Sequence, residues 1–154
     1  MINAMDAVIL PTPSTAHSSG QRAALQPSDF AMLADFRYEL RRFALFSEIE
    51  AHAQGLAPQQ HQALLAIKGQ LLAPTVTELA QRLCIKSHSA TELVNRLVQM
   101  NMLTRQADPN DGRRALLHLT PLAERTLESL SSVHQEQLQN IRPLLVELLG
   151  KFSK

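Results

Sequence analysis

Apolar residues recur at helical spacing over much of this chain. Between residues 29 and 54, Phe30, Leu33, Phe36, Leu40, Phe43, Phe46 and Ile49, with Leu45 beside them, make one stripe that Gly55 ends. Pro58 opens a second helix that the pattern carries to near Leu72, and Pro74 separates it from the next helix. Thr75 and Glu78 have the S/T-x-x-E spacing of a capping box, so a third helix should start just after Thr75, with Val76, Leu79, Ala80 and Leu83 on its apolar face. From Ser87 to Met100, Ala90, Leu93, Val94, Leu97 and Val98 point inward. His88, Ser89, Thr91, Glu92, Asn95, Arg96 and Gln99 are left for the opposite face.

The period then changes. Leu103–Gln106 and Ala115–Leu119 read as strands around the turn cluster Asp108-Pro109-Asn110-Asp111-Gly112-Arg113-Arg114. Residues 121 to 141 return to a helical pattern with Leu122, Leu127, Leu130 and Leu138. Pro143 is expected to break or restart it before Leu144-Leu145-Val146-Glu147-Leu148-Leu149-Gly150.

Helix, tight turn, helix and basic hairpin in that order spell a winged helix. The predicted fold class is therefore mainly α: a winged helix-turn-helix DNA-binding domain at residues 56–120, with N-terminal (29–55) and C-terminal (121–154) dimerisation helices. Residues 1–28, punctuated by Pro11, Pro13, Gly20 and Pro27, read as a flexible tail. The architecture offers one helix to a major groove and one cationic loop to the flanking backbone. Ser87, His88, Ser89, Thr91 and Asn95 are the candidates for base or phosphate contacts, and Arg96 for phosphate.

The run from Thr75 to Thr120, with Leu-Thr-Pro at 119–121 opening another helix, resembles the MarR family of winged-helix transcriptional regulators. Asp111-x-Arg113 lies seven residues before Thr120, where that family keeps an Asp-x-Arg signature. Leu56-x-Pro58-Gln59-Gln60 followed by Ala63-Leu64-Leu65 resembles the family's second helix, so the likeness spans residues 29 to 142. It implies that Asp111 braces the wing and Arg113 enters the minor groove; Arg105 and Arg114 are the candidates for backbone support beside it. It further implies a homodimer on a pseudo-palindromic double-stranded operator, repression, and a small aromatic effector held between the dimerisation helices and the winged domain. Three positions depart from the family pattern. Cys84 stands where a glycine is common, Lys86 occupies the usual capping slot so that Ser87 becomes the expected cap, and Glu92 sits where a basic residue is frequent.

Charge and composition narrow this further. The 154 residues suit one domain with appendages, and the formal net charge of +1 means that any affinity for DNA must come from local placement of Arg96, Arg105, Arg113 and Arg114. One cysteine fits a reducing cytoplasm. No apolar run approaches the roughly 18 residues that a membrane span needs, and residues 5 to 10 lack the flanks of a signal peptide. The six histidines (17, 52, 61, 88, 118, 134) show no metal-ligand spacing, and no nucleophile–base pair or nucleotide fingerprint appears. Neither an enzyme nor a cofactor is expected. His61 and His134 read as surface residues, Cys84 as a buried inert thiol, and Asp108 and Asp111 as turn caps.

Both ends of the chain carry more apolar surface than a lone winged helix hides. Phe30, Phe36, Phe43 and Phe46 crowd the first helix, and leucines crowd the last. A C2 dimer would cover both; packing of the two ends on each other in a monomer is the other solution. The reading is a homodimeric DNA-binding transcriptional repressor relieved by a small ligand. The alternative, which Glu92 and the near-neutral charge keep open, is a winged helix used as a protein-interaction module that binds no DNA.

Overall fold

The computed structural model describes residues 25–151. Most of the segment expected to be a tail, residues 1–24, lies outside the described residues. The elements run α1 (Pro27–Ala53), α2 (Pro58–Lys68), α3 (Val76–Leu83), α4 (Ser87–Gln99), β1 (Leu103–Ala107), β2 (Ala115–Leu119) and α5 (Pro121–Lys151). This is a mainly helical winged helix-turn-helix framed by two long helices.

Local chemistry sets the boundaries. At α2, Pro58 stands at the first turn and the Ala57 N–H donates to Gln60 Oε1 at 2.8 Å. The predicted capping box at Thr75 is complete: Thr75 N–H donates to Glu78 Oε2 at 2.7 Å, and Glu78 N–H returns to Thr75 Oγ1 at 3.3 Å. Thr120 starts α5 by accepting from Ala123 N–H at 3.2 Å while its own hydroxyl donates to the Asn101 carbonyl at 2.7 Å, so the hairpin base and α5 are tied together.

Three helices end the same way, with a left-handed residue just past the helix: Gly55 (φ 75), Cys84 (φ 55) and Asn101 (φ 56). In each case the next N–H reaches back to a carbonyl of the last turn: Leu56 to Ala51, Ile85 to Ala80 and Met102 to Leu97, at 2.9, 3.0 and 2.8 Å. Cys84 carries a side chain where glycine would be unstrained, at a cost of about 1–2 kcal/mol.

Several expectations need correction. Helix α2 stops at Lys68 rather than near Leu72: Gly69 caps it, and Leu71 and Leu72 lie in the connection to α3, exposed to solvent. Lys86, not Ser87, is the N-cap of α4, and Ser87 is its first helical residue. Val98, assigned to the inward stripe, is exposed, because it lies at the edge of that stripe, past Val94 and turned away from Leu93 and Leu97. Pro143 does not break the last helix. Helix α5 runs unbroken to Lys151, and the residues beyond the proline bury Leu148 and half-bury Leu144 and Leu145. The lost backbone hydrogen bond costs about 3 kcal/mol, close to what burial of one or two such leucines returns.

The core gathers Leu56, Leu64, Leu79, Val94, Leu97, Leu103, Leu117, Leu127 and Leu130 from every element except α1, which adds Ala51. Strands β1 and β2 pair antiparallel, Leu103 opposite Leu119 and Ala107 opposite Ala115. On the outer side of β2, Leu117 N–H donates to the Pro74 carbonyl at 2.8 Å, which fastens the wing to the α2–α3 connection.

Candidate nucleic-acid interface

Burying Ala90, Leu93, Val94 and Leu97 fixes the rotation of α4 about its axis. Ser87, His88, Thr91, Glu92, Asn95, Arg96 and Gln99 then face solvent as one strip, while Ser89 is half-buried on its flank. The Thr91 hydroxyl donates to the Ser87 carbonyl at 2.9 Å, leaving its methyl group and oxygen lone pairs outward. Helix α4 and the wing are joined by a side-chain bond, Arg105 Nη2 to Asn95 Oδ1 at 2.8 Å.

The wing tip is organised by its two aspartates. Asp108 Oδ1 accepts from Asn110 N–H at 2.9 Å, and Asp111 Oδ1 accepts from Arg113 N–H at 3.1 Å. Backbone bonds from Asp108 N–H to the Arg114 carbonyl (2.9 Å) and from Arg114 N–H to the Asp111 carbonyl (2.9 Å) close the loop. Both carboxylates are turn caps.

The four candidate arginines divide into two pairs. Arg96 and Arg113 are exposed and make no ion pair among the described residues. Arg105 is held by Asn95. Arg114 lies 3.1 Å from Glu78 Oε1 and 3.9 Å from Asp108 Oδ2, so its charge is largely matched within the protein. Hydrogen bonds from Thr75 hold the Glu78 carboxyl below its ordinary range, with a smaller contribution from Arg114. Glu92 is exposed on the strip between His88 and Arg96.

Residues 54–114, from the end of α1 to the wing tip, match the model of the MarR family. Over that winged segment the chain is similar to the MarR family. The chain is 29% identical over 128 residues to YcgE, an uncharacterized HTH-type transcriptional regulator of Bacillus subtilis, covering 75% of this chain and 80% of YcgE. Among solved structures, a mutant of MepR from S. aureus bound to an oligodeoxyribonucleotide superposes with a TM-score of 0.65 at 18% identity, over 80% of this chain and 98% of that one. Apo MarR from E. coli gives 0.62 at 20% identity, over 86% and 100%. At these identities the structural likeness establishes the winged-helix fold.

Away from α4 and the wing, a cavity of about 480 Å³ lies between α1, α2 and α5, lined among others by Phe43, Ser47, Glu48, His61, Leu65 and His134. His61 is 4% exposed and His134 is half-buried and hydrogen-bonded, so neither is the surface residue that spacing suggested. Lone histidines carry no periodic signal, and only the packing of α1, α2 and α5 together buries these two. Cys84 is half-buried. Among the described residues, no group of three or more His, Cys, Asp or Glu could hold a metal, and no helix is long and apolar enough to cross a membrane.

Proposed function

We propose that this chain is a sequence-specific transcriptional regulator that binds double-stranded DNA as a homodimer and acts as a cytoplasmic repressor relieved by a small ligand. One observation carries the reading. A solvent-facing strip of short polar side chains on α4 stands beside a wing whose Arg113 guanidinium has no carboxylate partner among the described residues. Short hydroxyl and amide side chains near a helix N-terminus suit base edges, and an unpaired guanidinium on a braced loop suits a narrow minor groove. In this reading Ser87, His88, Ser89, Thr91 and Asn95 approach bases or phosphates, Arg96 contacts phosphate, and Asp111 braces the wing. Arg105 and Arg114 exchange their internal partners for the DNA backbone.

The dimer is supported by apolar surface that the monomer leaves wet. Phe30, Leu33, Leu40, Leu45 and Ile49 of α1, and Leu138, Val146 and Leu149 of α5, are exposed. The cavity between α1, α2 and α5 has the size and apolar lining for a small aromatic effector. The test is selection of bound DNA from a random pool by the purified protein, repeated with small aromatic acids present. Enrichment of a pseudo-palindrome, reversed by an acid, is the expected result. A pool that stays random would leave the protein-interaction module as the better account.

A further inference from the structure

Three helices meet around two imidazoles. The rings of His61 (α2) and His134 (α5) have centroids 5.0 Å apart at an interplanar angle of 50°. His134 Nδ1 lies 2.6 Å from the Leu130 carbonyl, which only accepts, so that nitrogen carries the proton. In the neutral ring Nε2 then accepts from the Ser47 hydroxyl of α1 at 2.8 Å. Phe43 and Phe46 of α1 meet the same ring edge-on, at 5.8 and 5.5 Å. The pair therefore sits where α2, the first helix of the winged unit, is packed on the α1–α5 frame.

We propose that His61 and His134 form a proton switch at this junction, in which acidification drives α2 away from α1 and α5 and lowers affinity for DNA. Its readout on DNA rests on the function proposed above; its cause rests on the junction alone. Protonation of His134 falls on Nε2 and turns that acceptor into a donor, so the Ser47 hydroxyl must turn its hydrogen away and accept instead. A proton on His61 then adds a like charge 5.0 Å away, and whichever ring charges first opposes the second. Among the residues lining the cavity, the charged or titratable groups are Glu48 from α1, His61 from α2 and His134 from α5. Glu48 is exposed, so solvent screens its compensation.

The sign follows from His61. Burial, and secondly the charge of His134, hold its pKa below 6.5 in the closed junction. The closed form is fully favoured above 6.5. As pH falls from 6.5 towards the lowered value, the open form takes up the proton first, and the closed junction loses stability.

The experiment follows the ring C–H resonances by NMR, thermal unfolding, and affinity for selected DNA from about pH 8 to 5. It compares the wild type with His61→Gln and His134→Gln. His88 and His118 are present in all three proteins and cancel in the difference. The wild type should lose both stability and affinity on acidification, by roughly tenfold in the equilibrium per pKa unit displaced. Both variants should show flatter profiles, and His134→Gln at its half-buried position answers if His61→Gln fails to fold. Independent titration of both rings at the unperturbed value, or variants that follow the wild-type profile, would overturn the switch. Absence of DNA binding at every pH would overturn the regulator reading instead, while the NMR and unfolding profiles still decide the switch.

Discussion

The Arg105 guanidinium donates to Asn95 Oδ1 at 2.8 Å, joining the first wing strand to the middle of α4. Two elements that would enter different grooves are thereby held at one relative angle. The bond is exposed, so its coupling in the free protein should be modest, about 0.5–1 kcal/mol. Asn95→Ala, Arg105→Ala and the double variant should each lose a similar amount by urea unfolding. Strictly additive losses would show that the bond does not hold the two elements together.

Arg113 is the wing residue with most to gain from DNA, because no carboxylate among the described residues pairs with it. Arg113→Ala should cost about 1–3 kcal/mol on a selected site. Asp111→Ala should weaken the same site indirectly, by removing the bond to Arg113 N–H that shapes the loop. Equal affinity for wild type and Arg113→Ala in a fluorescence-anisotropy titration would remove Arg113 from the interface.

Reading and attraction should separate along α4. Replacing Ser89 or Thr91, near the helix start, should change which bases are preferred, at roughly 1–3 kcal/mol for each base-specific hydrogen bond removed. Arg96 lies further along the strip, and Arg96→Ala should weaken all sequences alike and reduce the salt slope by about one. Affinities for selected and scrambled DNA at several salt concentrations check this. The opposite pattern would mean that α4 lies differently in the groove.

Much of the architecture was legible in the sequence because it is written in local chemistry. The Thr75–Glu78 box, Pro58, Gly55 and the Asp/Asn/Gly turn each act within a few residues, and the structure realises all of them. Misreadings arose where tertiary packing outweighed local preference. Pro143 is carried through α5 by the burial of residues beyond it, and the α2 stripe runs on past Gly69 only on paper, since Leu71 and Leu72 meet solvent. The solvent-facing polar strip on α4 was legible from periodicity. The partners of Arg105 and Arg114, and the pairing of His61 with His134, join residues far apart in the chain and left no periodic trace.

The exposed face of α1 should be the dimer contact. Leu45 and Ile49, one turn apart on that face, are 59% and 57% exposed, so Glu at both positions should leave the monomer fold within about 0.5 kcal/mol of wild type. The same pair should abolish dimerisation and operator binding together. Analytical ultracentrifugation at micromolar concentration reads the first effect, and a dimer that survives both charges would place the contact elsewhere.

The most direct test of a paired DNA reader is the dependence of affinity on half-site spacing. Two recognition helices related by a two-fold axis should lie about 34–36 Å apart, one turn of B-DNA. Lengthening a selected pseudo-palindrome by about five base pairs, half a turn, turns one half-site to the opposite face of the duplex. The account predicts that affinity then falls to that of a single half-site. Undiminished affinity after the insertion would contradict it.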